Sequence, residues 1–311
     1  YTLSLQTLFR SKNIIYVENH YFVTAKDNSI KFRNIIDKTE KFYFFSDIEA
    51  IIFDHYRSYF SHKLVIKCMQ NNIAILFCDN KHSPMTQLLS EYGMSNRIQR
   101  IQTQFRFSGR SKERVWKKIV VGKIINQARC VENNIDKSKS IVLKELAKEV
   151  KPGDNNNREA IAAKIYFRDL YGPQFKRGRY NDIINSALNY GYSIIRSFIK
   201  RELAIHGFEM SLGIKHHSTE NPFNLADDVI EVFRPFVDNM VYNIVMKDGV
   251  KVFDTKEKKV LLNVLFEKCI IDKKIVRLLD SIKIMIDSLI RCYKENTATY
   301  LLIPKMIEVG N

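Results

Sequence analysis

The sequence is poor in glycine and proline, with 11 Gly and 6 Pro in 311 residues. That excludes collagen-like and low-complexity chains. Cysteine is scarce too. The five present (Cys68, Cys78, Cys130, Cys269 and Cys292) are odd in number, and no two form a CxxC pair. This speaks against a disulfide framework or a zinc knuckle, and the expectation is buried thiols in a reducing compartment. No run reaches the ~18 apolar residues that a membrane span needs. The first residues, YTLSLQTLFR, show neither a long apolar core nor a cleavage site. A soluble, cytoplasmic protein with no signal peptide and no membrane partner is therefore expected. Acid is also in deficit: 34 Asp and Glu stand against 50 Lys and Arg, a formal net charge of +16. Such an excess suits a polyanionic partner, nucleic acid before an anionic membrane surface. A basic protein of no special purpose has the same totals.

What is present can build a core: 45% of residues are apolar and 12% aromatic, which argues against disorder. The length allows one large domain or two of ordinary size. IIYVENHYFVTA, SIKFRNI, KFYFFS, AIIFD and NIAILFCD are short β-branched and aromatic runs between Asn, Asp and Lys clusters, and they predict strands. YRSYFSHKLVIKCMQ is the one helix expected among them. SPMTQLLSEYGMSNR reads as a connector. Beyond it nearly every segment has helical period. KERVWKKIVVGKIINQARC places Val115, Ile119, Gly122 and Ile125 turn by turn, with Lys and Arg on the other side. SIVLKELAKEV, a stretch from Arg158, and stretches from Asn181 to His206 and from Pro222 towards Asp238 are further helices. KEKKVLLNVLFEKC and KKIVRLLDSIKIMIDSLIRCYKE close the series. The fold class expected is α+β: a small N-terminal β-sandwich-like domain over residues 1–88, then a larger all-α domain over 89–311.

Against this basic background, GIKHHSTENPFNLADDVIE sets two adjacent histidines ahead of several carboxylates. Asn221 suits an N-cap and Pro222 a first helical position. The apolar stripe is Ala226, Val229, Ile230, Phe233 and Val237, and Pro235 should kink or end the helix. Asp228 and Glu231 share a face, as do Asp227 and Glu231. Carboxylates this close repel unless they are solvated, paired with Arg234, or given a cation. A second carboxylate, Glu159, opens the helix NREAIAAKIYFRDLYG, with Ala162, Ala163 and Tyr166 on its side. Small residues there allow another element to approach it closely; favourable contact with the helix dipole explains a first-turn glutamate equally well. A loop histidine is commonly a plain surface residue. One imidazole with two carboxylates, however, makes a hard, oxygen-rich donor set that suits Mg²⁺ or Mn²⁺ better than zinc.

Between Arg97 and Arg129 there are ten basic residues and one acid, Glu113, and FKRGR adds three more cations. Arg97, Arg100, Arg106, Lys117, Lys118, Lys176, Arg177 and Arg179 are the candidate DNA contacts. Phosphate contacts of this kind produce salt dependence rather than sequence choice. The alternative is a solvated face that only keeps the protein soluble. Tyr166, Tyr180, Tyr190 and Tyr192 are candidates to stack on splayed bases, or are core tyrosines.

NREAIAAKIYF, NSALNYGYSIIRSFI and GIKHH…NPFNLADDVIEVFRPFVD together resemble the CRISPR-associated integrase of the adaptation step, in the form that accompanies type II systems. CDNKHSPMTQLL and VWKKIVVGKIINQA extend the likeness, from about residue 70 onwards. The resemblance implies a metal-dependent DNA endonuclease and integrase. It joins the 3′-hydroxyl ends of a short DNA fragment to the repeat of a CRISPR array. The metal ligands, also the catalytic residues, fall on Glu159, His216 (not His217) and Glu231. Asp228, Asn185 and Tyr190 match supporting positions. The resemblance further implies Mg²⁺ or Mn²⁺, double-stranded DNA, a homodimer paired through its β domain, and a small companion subunit completing a heterohexamer. Two other readings share these residues: a structure-selective nuclease that uses water as nucleophile, and a non-catalytic nucleic-acid-binding protein.

Overall fold

A computed structural model describes residues 13–80, 82–89, 96–178 and 180–308. The chain divides into two compact units, Tyr1–Gly93 and Met94–Asn311.

The N-terminal unit holds β1 (Asn13–Val17), β2 (Tyr21–Lys26), β3 (Ser29–Asn34), β4 (Glu40–Phe44), β5 (Ile48–Phe53), β6 (Tyr59–Phe60), α1 (His62–Gln70), β7 (Ala74–Cys78) and β8 (Pro84–Leu88). They form two four-stranded sheets, ordered β1-β5-β7-β8 and β4-β3-β2-β6. β1, β5 and β7 run parallel. Parallel strands are covered on both faces and read as unbroken apolar runs, as Ala50, Ile51 and Ile52 do, all fully buried. In the other sheet alternate residues point to opposite sides. Val23, Ile30 and Phe32 turn inward and share one buried cluster with Ile15, Ile51 and Phe53 of the first sheet. Phe22, Phe42, Phe44 and Tyr59 turn outward and are exposed. The sandwich-like expectation holds. Part of SPMTQLLSEYGMSNR, expected as a connector, is instead the antiparallel strand β8 on β7.

The larger unit comprises α2 (Arg97–Arg106), α3 (Gly109–Asn134), α4 (Lys137–Glu149), α5 (Arg158–Tyr171), α6 (Ile183–Ile205), α7 (Asn224–Ile230), α8 (Arg234–Tyr242) and α9 (Thr255–Leu262). After them come β9 (Lys268–Ile271), β10 (Lys274–Arg277), α10 (Leu278–Glu295) and β11 (Lys305–Met306). It is dominated by helices, as expected, but includes a small sheet ordered β10-β9-β11. Lys268 and Cys269, expected to end one helix, lie in β9, and KIVR, expected to open the next, is β10. Asp272 and Lys273 between them both have positive φ (49° and 61°), the signature of a tight two-residue hairpin turn.

α3 is the axis of this unit and packs against α4, α5, α7, α8 and β11. Its burial is wider than one stripe. Val115, Trp116, Ile119, Val120, Ile124, Ala128 and Val131 are buried, and so are the polar Lys123, Asn126 and Gln127. Ile125, expected on the apolar face, is only partly covered. Gly122 is needed for close approach, because a Cβ there would meet Ile303 Cγ2 at 2.4 Å.

Candidate active site

Three elements converge on the middle of α3. The first is the start of α5. Asp154, in the turn before the helix, accepts hydrogen bonds from the backbone N–H groups of Arg158 (2.9 Å) and Glu159 (3.1 Å). It thereby satisfies two of the donors that every helix start leaves open and holds Glu159 in place. Ala162 and Tyr166 beneath it are fully buried.

The second element is the loop before α7. Asp228, with no exposed surface, accepts from the backbone N–H groups of Ile214 (2.5 Å), Lys215 (3.1 Å) and His216 (3.1 Å) and contacts His216 Nδ1 at 2.7 Å. One carboxylate thus winds the loop and sets the imidazole's rotation. The hydrogen bond that His216 donates to Asp228 raises the His216 pKa above its ordinary value, outweighing burial. Trp116 meets the ring edge-on, with centroids 5.9 Å apart. Gly213 is required because a Cβ would lie 2.2 Å from the His216 carbonyl oxygen. Lys215 then ties this loop to the start of α5, donating from Nζ to the Gly153 carbonyl at 3.0 Å.

The third element is the α7–α8 junction. α7 begins after Phe223, not after Asn221. Asn221 instead accepts from the Phe223 N–H and donates to Asp227 at 2.6 Å. Pro235 does end the helix. A proline ring clashes with the carbonyl four residues back, which is that of Glu231, so the chain breaks there and α8 restarts with Pro235 in its first turn. Glu231 is left at the break and nearly buried.

Glu159 and Glu231 meet at one cation. Lys123 Nζ donates to Glu159 Oε1 at 2.6 Å and to Glu231 Oε2 at 2.5 Å, while Arg234 Nε donates to Glu231 Oε1 at 2.9 Å. Burial alone would raise the Glu231 carboxyl, but Lys123 and Arg234 outweigh it and bring it to about 2. Burial would likewise lower the Lys123 ammonium, and the two glutamates more than reverse this. The sequence reading missed Lys123, although its signal was there: it lies four residues beyond Ile119 and eight beyond Val115, in their stripe. Among the described residues no three His, Cys, Asp or Glu side chains stand together as a ready ion cage. The two glutamates are gathered around an ammonium, and His216, 46% exposed at its side chain, is near enough to Glu231 for their charges to interact. Two converging carboxylates beside an oriented imidazole are a donor set that fits a hard divalent ion.

Asp227 is drawn away, paired in bidentate fashion with Arg196 (2.5 and 2.9 Å). Asn185 is buried at the start of α6, where it binds Gly178 N, Lys176 O and Arg177; it shapes the basic loop and does not touch the carboxylates. Tyr190 packs edge-on against Phe253 in the core. Tyr166 and Tyr192 are core residues whose hydroxyls both donate to the buried Asp238, whereas Tyr180 is exposed. Of the candidate DNA contacts, Arg106 and Lys176 are exposed and Lys117 is half-buried. Arg97 pairs loosely with Glu209 (3.6 Å). Arg100 donates to the His206 carbonyl and covers the Phe208 ring. Lys118 donates to the Thr299 and Leu301 carbonyls. Arg177 binds Asn185 and Asn189 and stacks on Tyr192, whose ring Arg234 also approaches. Arg179 lies outside the described residues.

The sequence model of the family described as CRISPR associated protein Cas1 matches residues 14–273. The chain belongs to the Cas1 family. A CRISPR-associated endonuclease Cas1 of Neisseria meningitidis serogroup C (strain 8013) is 32% identical over 262 residues, 84% of this chain and 86% of the relative. One from Francisella tularensis subsp. novicida (strain U112) is 28% identical over 66% of this chain and 70% of its own length. Among solved structures, a casposase bound to integration product superposes with a TM-score of 0.74 at 15% identity, covering 92% of this chain and 91% of that one. A Cas1 protein from Thermotoga maritima does so at 0.72 and 15% identity, covering 91% and 97%. A Cas6-RT-Cas1–Cas2 complex matches at 0.74 and 16% identity over 99% of this chain and 37% of that chain. As a Cas1 protein, the chain has a nuclease or integrase role in CRISPR adaptation.

Proposed function

We propose that this Cas1 protein is a metal-dependent integrase, joining the 3′-hydroxyl ends of a DNA fragment to the CRISPR repeat by transesterification. The observation that carries this reading is the convergence of Glu159, from α5, and Glu231, from the α7–α8 junction, on a single cation, with His216 near enough to Glu231 for their charges to interact. In the proposal Glu159, His216 and Glu231 hold Mg²⁺ or Mn²⁺. Asp228 fixes the imidazole tautomer through Nδ1 so that Nε2 is the ligand atom. A divalent ion bound there would lower the pKa of an attacking hydroxyl and offset charge on the phosphate oxygens. Glu231 at a pKa of about 2 is ionised, and so competent to ligate, throughout the physiological range.

The partners in this reading are double-stranded DNA, a second copy of the chain and a small companion of the Cas2 kind. The relative solved as a Cas6-RT-Cas1–Cas2 complex and the casposase solved on its integration product motivate them. The outward aromatic face of the N-terminal unit, with Phe42 49% and Phe44 63% exposed, offers a surface for pairing.

The test uses the protein with Mn²⁺, a short duplex bearing 3′-hydroxyls and a supercoiled repeat plasmid. Covalent joining that disappears with 3′-dideoxy ends, and with Glu159→Ala or His216→Ala, is the expected result. Cutting without joining assigns water as the nucleophile. Joining that survives both substitutions removes these residues from the chemistry.

A further inference from the structure

Lys123 is a costly residue to keep where it is. It is 9% exposed at the centre of α3, and its ammonium bonds to both carboxylates assigned above as metal ligands. A cation between two close carboxylates, one buried and one partly so, suppresses their repulsion and lets the pair assemble without metal. The same bonds occupy the oxygens that a divalent ion needs.

The structure also offers the ammonium a second position. A cavity of about 160 Å³ adjoins the site, lined by Lys123, Gln127, Tyr192, Glu231, Arg234 and Asp238 among others. Gln127 lies one helical turn beyond Lys123 on the same helix, so the two side chains are neighbours. It is 1% exposed, and its Oε1 has no hydrogen-bond partner among the described residues. A buried acceptor left unmet is unfavourable, so Gln127 is poised to receive a donor. Asp238 adds a carboxylate to the same wall.

We infer that Lys123 is the resident counter-ion of the site, and that divalent metal binding is an exchange in which its ammonium leaves Glu159 and Glu231 and moves into the cavity towards Gln127 Oε1. This inference rests on the metal reading above. No covalent bond changes; one cation replaces another between two carboxylates. The wild-type affinity for metal is then lowered by the work of dislodging Lys123, and raised by whatever Gln127 returns.

The two residues should therefore act in opposite directions. Mn²⁺ titration by calorimetry, without DNA, is compared for the full wild-type chain, Lys123→Met and Gln127→Leu, with melting followed with and without Mn²⁺. Lys123→Met is expected to bind Mn²⁺ about tenfold or more tightly, a change of at least ~1.4 kcal/mol, and to gain more melting temperature from Mn²⁺ than wild type does. Gln127→Leu is expected to bind several-fold more weakly. Equal or weaker binding by Lys123→Met overturns the exchange. Unchanged binding by Gln127→Leu overturns the receiving position, and carries the test alone if Lys123→Met does not fold. Absence of Mn²⁺ binding in wild type removes the metal reading itself, and the inference with it.

Discussion

At the scale of single residues, one fully buried carboxylate sets the geometry of a partly exposed imidazole. Asp228 spends its carboxylate on three backbone N–H groups and an imidazole. Asp228→Asn keeps the shape but loses the charge that holds Nδ1–H. In the proposed metal site His216 is a ligand, and outer partners of ligands are typically worth 10–100-fold in affinity, so Mn²⁺ binding measured by calorimetry is expected to weaken by about that factor. Asp238 shows the opposite electrostatics. Burial, only partly offset by Tyr192 and Tyr166, raises its pKa to about 6 from an ordinary 3.8. The folded protein then holds this proton at a pH where the unfolded chain has released it. The group's contribution to stability therefore falls as pH rises from about 4 to 6. Urea melts across that window should show Asp238→Asn gaining stability relative to wild type as pH rises, then running parallel above it.

At the scale of elements, the site depends on where helices stop. α7 ends at Ile230 because Pro235 denies Glu231 its helical partner, and α5 starts where Asp154 caps it. The segment carrying β11 braces this arrangement against α3. Asn126 donates to the carbonyls of Val232 and Pro304 and accepts from the Met306 N–H, each at 3.0 Å. It joins the residue after Glu231 to β11 in one buried side chain. Asn126→Ala strands three backbone groups and is expected to cost about 2 kcal/mol or more. Chemical denaturation would measure the loss, and amide exchange at Val232 and Met306 should quicken. Periodicity made most helices legible. It failed at β9 and β10, where four-residue strands are too short to show a period and the turn between them uses Asp272 and Lys273 rather than glycine. It also failed to see Lys123 as an inside residue, because a lysine within an apolar stripe is ordinarily assigned to solvent.

At the scale of the whole molecule, the +16 charge is spent in two ways. Some cations are structural. Lys118 clamps the segment after α10, Arg100 the turn after α6, and Arg177 the loop before α6. Others, Arg106 and Lys176 among them, are exposed. Duplex binding is expected to weaken steeply with salt. Removing Arg106 or Lys176 should reduce the log–log salt slope by about one each with little change in melting. Removing Lys118 or Arg100 should lower the melting temperature instead. Titrations of a labelled duplex between low and moderate salt, paired with thermal melts, separate the two groups. Among the described residues no helix is long and apolar enough to cross a membrane, and all five cysteines are buried.

Read alone, the chain determined its α+β class and its Cas1 family, and pointed to Glu159, His216 and Glu231 as candidate ligands. Each of those is written locally, in strand and helix periods, in turn residues, and in short motifs such as REAIAAK and GIKH. Only the tertiary structure decided that Glu159 and Glu231 share one partner, that this partner is Lys123, and that Arg100, Lys118 and Arg177 are committed inward. Those facts depend on contacts between residues dozens of positions apart. No local pattern encodes them, because an ammonium in a helix reads the same whether water or two carboxylates wait on the far side of the turn.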